Sequence, residues 1–589
     1  MKKMKRFARK ILASSVFMFL LTATACSGNG NNNSQNAMTP NPPRETVSVA
    51  AGEEADAEVD AEDPRLAQHG LDENLRFLDT QTISVAIWDR GHERMPDMAS
   101  NGWTDWIQKE VLEAHNIAVE FVVVPRWDET PFMSTLLGAG SAPDVSFSFG
   151  GTALINTFSE MGAMIDMEPL LAEYGDWLPN MYGFLGDNVY WNQNPNTGEL
   201  FSLASRRVET MNQNTFVRED WLKTLDIEPP TTLQQFEDML VAFRDNAELL
   251  LGADANRMVP LRMSDEASQD VLALVESFLP DSITEREFFK YGFDERRIMQ
   301  PSTKEAYRVL NKWFDMGLVF QEFAYGDTGL PDDLVRLGVT GAYIGNWDMP
   351  MRAGGDQHIV TMRENRGPDA NFMPVLSFPN DAGNNVMIAM APADRVIFLP
   401  HTNRNPIASM LYIDWMSRQS TRNFLSHGIE GQHHVVEPDG ARRILPAEEH
   451  PDNMIFAATN NFDIQFISNG FDFGDEELTL NTLALAYAGI DAADVMRARS
   501  TAKAAGRIFR PVFVRPIAAQ EGMTTPLAEF RNTIAHNVIT TSPDTFDSTW
   551  DAMIQQYMDM GGRAIIEERD QAWVEQFGEV DFMPGWEGW

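Results

Sequence analysis

Three tryptophan–aspartate pairs hold the chemistry most worth weighing in this chain: Trp88-Asp89, Trp127-Asp128 and Trp347-Asp348. A flat aromatic ring beside a planar polar group suits a ligand with an apolar face and a rim of hydroxyls, which describes a sugar ring. Each pair falls where a strand-like run gives out. Trp191 and Arg207 join them as secondary candidates, in a region expected to cross between lobes. Of the 14 tryptophans, Trp103, Trp106, Trp313 and Trp415 sit inside helical patterns and read as packing. No G-x-S-x-G, Walker, H-E-x-x-H or C-x-x-C pattern occurs in the body of the chain. With 86 acidic residues present, carboxylate pairs carry no catalytic signal by themselves. His427, His433 and His434, with Glu430 between them, are spaced conceivably for a metal, but the expectation is no metal and no cofactor.

The elements that would position these residues are legible nearby. Thr82-Ile83-Ser84-Val85-Ala86-Ile87-Trp88 alternates like a strand, residues 103–115 have helical spacing, and Val119-Glu120-Phe121-Val122-Val123-Val124 is a second strand. A helix with Phe132, Met133, Leu136 and Leu137 follows, then a third strand over residues 142–149. This β-α-β-α-β order predicts a parallel sheet covered by helices. Ligands of such sheets sit beyond the carboxyl ends of the strands, where Trp88-Asp89, Arg126-Trp127-Asp128 and Phe149-Gly150-Gly151 lie.

Several segments, in order along the chain, resemble the extracellular solute-binding proteins (family 1) of bacterial carbohydrate ABC transporters, in particular their LipO-like lipoprotein subgroup. They are Gly138-Ala139-Gly140-Ser141-Ala142-Pro143-Asp144-Val145, Gly162-Ala163-Met164-Ile165-Asp166-Met167, Phe216-Val217-Arg218-Glu219-Asp220-Trp221-Leu222 before Pro229-Pro230-Thr231, and the run from Leu337 through Gly345-Asn346-Trp347. Ile413-Asp414-Trp415-Met416, the segment 423–431 and the segment 550–572 fit the same subgroup. The resemblance spans about residues 80 to 575. It implies an α/β, two-lobed periplasmic-binding-protein-like fold of type II with a hinged cleft between lobes. It places the N-terminal lobe at 78–205 plus 374–445 and the C-terminal lobe at 206–373 plus 446–589. In that family a Trp set like Trp347 comes from the second lobe and stacks on a sugar. Where many LipO-like proteins carry a calcium loop, residues 251–260 offer only Asp254 and Asn256 beside Arg257, too few oxygen ligands for calcium.

The start of the chain assigns a compartment. Lys2, Lys3, Lys5, Arg6, Arg9 and Lys10 precede an apolar stretch and then Ala23-Thr24-Ala25-Cys26, the pattern of a secretory signal over residues 1–25. Cys26 is the single cysteine and resembles the acylated residue of a lipobox, with Ala23 where Leu is usual. Residues 26–77 read as a disordered acidic tether. The formal charge is −40, from 46 basic and 86 acidic residues, which argues against nucleic acid as a partner. The expectation is a monomer, lipid-anchored on the outer face of the cytoplasmic membrane, that delivers an oligosaccharide or related small solute to ABC permease subunits. A secreted glycoside-active enzyme and a sugar- or peptide-binding sensor are the alternatives.

Overall fold

The structure, a computed structural model, describes residues 57–584 apart from 58, 92–96, 195–196, 295, 326–328, 353–357, 447–448, 452–453, 455–463, 505, 510–511 and 513. All belong to one compact unit, Val47–Trp589. The signal-like segment, Cys26 and the first part of the expected tether lie outside the described residues. The tether ends earlier than residue 77. A helix, Pro64–His69, is capped by the Asp63 carboxylate and closed by Gly70 in the left-handed region. Leu66, Leu71, Leu75 and Phe77 from this stretch are buried in the first core, a burial that short apolar residues among charges did not announce.

Strand β1 (Gln81–Asp89) leads into the helix Gly102–His115. Asn101 starts that helix by accepting from the Trp103 and Thr104 N–H groups, and the Thr104 hydroxyl answers with a bond from the Asn101 N–H. Asn116, at φ 56°, ends it in the left-handed region that asparagine tolerates. Trp103, Ile107 and Val111 form its buried face. Strand β2 (Ile117–Pro125) pairs parallel with β1 from Gln81↔Ile117 to Asp89↔Pro125, so the two strands end side by side. After the helix Glu129–Gly138 the chain joins β1 through a parallel Val85↔Val145 bridge and becomes β3 (Ser146–Ser148). Strand β4 (Leu203–Arg207) completes the first passage through this core.

The second core begins with β5 (Gln213–Arg218) and adds β6 (Val259–Leu261), β7 (Thr340–Asn346) and β8 (Phe372–Val375) in the order β6-β7-β5-β8. Only β6 and β7 are parallel; β5 runs antiparallel to both of its neighbours. Val375, Phe378 and Met387 belong to this core, as does β9 (Met387–Ile388) through Met387. The chain therefore comes back to the first core at β10 (Ala393–Phe398), later than the expected residue 374. A hairpin of β11 (His434–Val436) and β12 (Arg442–Ile444) follows. Ile464, Phe466 and Ile467 are still first-core residues, so the expected boundary at 445 also moves downstream. Strand β13 (Ser468–Asn469) lies beside β4, and the remainder, including β14 (Gly506–Arg507) beside β9, serves the second lobe. The first-lobe sheet is mixed, because β10 is antiparallel to both β3 and β4.

Three segments cross between the two cores, and backbone hydrogen bonds hold them side by side. Residues 206–210 lie in the middle: Arg207 N–H donates to the Pro392 carbonyl (2.6 Å), Met390 N–H to Thr210 (2.8 Å) and, on the other side, Val208 N–H to Asn469 (2.9 Å). Gly470 turns the third segment at φ 108°, where a Cβ would come within 2.9 Å of the Val208 Cβ. Only glycine serves there without strain. No described helix is long and apolar enough to cross a membrane.

Candidate functional site

The shared carboxyl edge of β1 and β2 carries an aromatic and guanidinium cluster. Trp88 ends β1 fully buried, edge-on to Phe147 (4.7 Å between centroids) and stacked on Phe149 (5.0 Å, 30°). Two guanidiniums cover the same rings. Arg126 Cζ lies 4.7 Å from the Trp88 centroid and 4.4 Å from that of Phe149; Arg395 Cζ, from β10, lies 5.2 and 5.6 Å away. Such contacts strengthen where water is excluded. Trp88, one of the candidate ligand residues, is thus the floor of the cluster. Trp127, in the turn Arg126–Asp128 that follows β2, is the open one: its ring is 73% exposed, with Arg90 at 5.3 Å and Arg126 at 5.2 Å. The Asp89 carboxylate accepts from Gly91 N–H (2.7 Å) and so serves its own turn. Asp128 is exposed at the start of the next helix and makes no capping bond. Glu129 accepts from the Phe149 N–H (3.0 Å) and fixes the end of β3 against this turn.

On the second lobe, β7 ends in Asn346 and then Trp347. Trp347 is 8% exposed and packs edge-on to Tyr487 (6.3 Å, 85°) in a cluster with Met211 and Leu483. Its backbone N–H donates to the Asn212 carbonyl (3.0 Å), two residues beyond the first crossing segment. Asp348 accepts from the Tyr487 hydroxyl (2.9 Å) and from Arg352 (2.6 Å). Its carboxylate is therefore taken up by Tyr487, the neighbour of the Trp347 ring, and by Arg352. Burial pushes the Tyr487 hydroxyl well above its usual pKa, and the Asp348 charge adds to that.

The two clusters meet along the crossing segments. Arg207 forms an ion pair with the buried Asp394, and Asn469 donates to the same carboxylate (3.0 Å). Burial, reinforced by the nearby Arg395 charge, pulls Arg207 down to about 10. Arg207, expected as a ligand residue, is thereby a clasp across all three crossing segments. Two residues further on, Glu209 bonds Arg499 (3.0 Å) and stands near Asp348; burial raises its pKa against the pull of Arg499. Arg395 thus joins the Trp88 ring to Asp394, which Arg207 also grips, while further along the segment Glu209 feels the charge of Asp348. Trp191 is half-buried in the turn after Gly186–Val189, which Asn188 ties to the carbonyls of Ser205 and Pro392. Arg395, Glu209 and Tyr487 were missed in the sequence, since only distant pairing brings them here. Arg126 and Phe149 were already placed at strand ends by the sequence, without a role assigned to their side chains.

Among the described residues no group of three or more His, Cys, Asp or Glu side chains is placed to hold a metal. The histidines serve structure: His433 accepts from Ile429 N–H (3.0 Å), and His434 bonds the His427 carbonyl (2.8 Å). In the 251–260 segment, Asp254 pairs with Arg366 (2.9 Å) and Arg257 (3.7 Å). A lone carboxylate already shared by two guanidiniums does not fit calcium, which needs about six or more oxygen ligands.

No family profile matches the chain, and no curated sequence does. Solved structures do. The alginate-binding protein AlgQ2 is similar at 14% identity over 84% of this chain and 98% of that chain, with a TM-score of 0.58. An HMO-binding, ABC-transporter-associated solute-binding protein from Bifidobacterium longum infantis is similar at 15% identity over 84% and 99%, with a TM-score of 0.59. The ABC-transporter substrate-binding protein FusA of S. pneumoniae, solved with kestose, is similar at 13% identity over 84% and 99%, with a TM-score of 0.58. These are binding proteins, and nearly their whole length is matched. The chain has the two-lobed α/β fold of the ABC-transporter solute-binding proteins.

Proposed function

We propose that this protein is the extracellular, lipid-anchored binding component of an ABC importer, which captures an oligosaccharide between its lobes and passes it to a membrane permease without catalysing a reaction. The observation that carries this reading is the exposed Trp127 ring at the shared ends of β1 and β2, in a fold matched along almost the full length of sugar-binding neighbours. A pyranose face stacks on such a ring. Trp347, only 8% exposed and packed on Tyr487, backs the second lobe beside the crossing segments. Ligand that touches both lobes favours the closed arrangement by its differential affinity for it. Closure in turn offers the permease a distinct surface.

A thermal-shift screen of the purified protein against neutral and acidic oligosaccharides tests the reading. Ligand at about one hundred times Kd adds roughly 2.7 kcal/mol of stability by mass action. Incubation with the same compounds should produce no new reducing ends; their appearance would point to a hydrolase. Replacing Cys26 with Ser should move the protein from the membrane fraction to the medium. Retention of the processed variant in the membrane would remove the lipid anchor from the proposal.

A further inference from the structure

In the second lobe β6 and β7 run parallel, so their carboxyl ends share one edge, as those of β1 and β2 do in the first. The chain leaving β6 stays beside β7 for one more bond, Arg262 N–H to the Ala342 carbonyl (2.8 Å), and then turns through Ser264 into the helix Ala267–Asp270. Gln213, the residue paired with Asn346 at the end of β7, holds this turn: its Nε2 donates to the Gln269 carbonyl (3.4 Å) and its Oε1 accepts from Ala273 N–H (3.2 Å). His536 holds it as well, donating to the Asp265 carbonyl (2.7 Å) while its ring meets Phe323 edge-on (5.5 Å). Phe323 opens the turn Phe323–Tyr325, which follows a further parallel bridge, Leu261↔Val319, and there the Tyr325 ring stands 83% exposed.

The polar side chains of this edge divide into two kinds. Asp270 accepts from Ser264 N–H (2.6 Å) and from Arg262 (2.8 Å), and Asp332 pairs with the same guanidinium (2.8 Å). Those two serve the fold. Asp265 Oδ1 and Gln269 Oε1 are buried atoms too, yet neither has a hydrogen-bond partner among the described residues. A buried acceptor left open costs folding free energy that a structural role would recover. A carboxylate without a basic partner accepts from hydroxyls and repels other carboxylates.

We propose that Asp265 and Gln269 are specificity-determining acceptors of the second lobe, which take hydroxyl protons of a neutral oligosaccharide, with Tyr325 as an outer stacking ring. The assignment rests on the reading of the protein as a sugar binder and adds the charge class of the sugar and the residues that set it. A uronate at this edge would bring its carboxylate against that of Asp265.

Titration calorimetry on the full chain tests it with neutral oligosaccharides of glucose, galactose or mannose, the corresponding oligouronates, and amino-sugar oligomers of equal length. At least one neutral oligomer should bind at least tenfold more tightly than its uronate counterpart. Asp265→Asn keeps the shape and removes the charge. It should weaken that neutral ligand at least tenfold while the unliganded protein melts no lower than before, since no bond of the fold is lost. Gln269→Leu should act in the same direction. Unchanged affinity in either variant overturns this inference and leaves the sugar-binding reading standing. Tighter binding of uronates overturns the charge class, and tighter binding of amino sugars replaces the hydroxyl with an ammonium group and overturns the neutral ligand. A melting temperature lowered by several degrees in both variants shows that these side chains hold the fold, and overturns the assignment. Binding of none of these compounds overturns both this inference and the sugar cleft.

Discussion

Replacing Trp127 with Ala separates a binding ring from a packing ring. The side chain is 73% exposed, so its removal opens no cavity and returns little apolar surface to water. What the free protein loses is the contact with Arg90 and Arg126. At exposed sites such cation–π contacts are worth about 0.5–1 kcal/mol each. For a chain of this size that moves the melting temperature by no more than a few degrees, since ~1 kcal/mol shifts a domain of 150–250 residues by about 2–4 °C. Bound ligand changes the balance, because the ring becomes covered. Truncating a buried aromatic anchor costs ~2 kcal/mol or more, which is roughly thirtyfold in Kd at about 1.4 kcal/mol per decade. Trp127→Ala should therefore weaken the best oligosaccharide from the screen at least tenfold by calorimetry while the unliganded protein melts almost as before. Unchanged affinity would refute the placement of the ligand on this edge. A collapse of the unliganded protein would show that the ring holds the fold instead.

The contrasting substitution is Trp347→Ala: with the ring only 8% exposed, it should cost ~3–5 kcal/mol of folding stability, read from the denaturant midpoint, as large buried aromatics do. A midpoint left in place would show that the ring is not packed as described. Burial alone would raise the pKa of Glu219, but bonds from Arg497, Asn371 and Lys223 outweigh it and hold the carboxyl at about 2, against an ordinary 4.5. The stabilisation it provides is present above about pH 4.5 and lost as pH falls toward 2, so the stability gap between wild type and Glu219→Gln should shrink across that window; a gap independent of pH removes the linkage. A calcium chelator should leave the melting temperature unchanged, since Asp254 is taken up by Arg366 and Arg257, and a fall of several degrees would reveal a cation site.

The elements written in local pattern were legible. The alternation of β1 and the helical spacing over residues 103–115 depend only on near neighbours in the chain, and both elements stand where the pattern puts them. The depth of Trp88 does not. It is set by Phe147 of β3, by Phe149 just after that strand and by Arg395 from β10, and nothing beside Trp88 in sequence says that those groups will close over it. Arg207 reads like any basic residue at a strand end until Asp394 arrives from far along the chain and pairs with it. Tyr487 gives no signal at all, because it sits in a loop between helices and the carboxylate that takes its hydroxyl, Asp348, lies 139 residues away in the chain. The return point between lobes was placed too early for a similar reason. Phe372–Val375 is apolar enough to join either core, and its antiparallel pairing with β5 decides the matter.

The side-by-side crossing segments fix how many ways the two halves of this molecule can move. A single connecting thread leaves rotation free about every axis. Three threads bonded into a ribbon, with Arg207 and Asn469 both gripping Asp394, resist twisting and sliding and leave bending across the ribbon as the soft direction. One degree of freedom means one path and one end point. A ligand that drew the halves together along that path would then produce nearly the same outer contour whatever its length or composition.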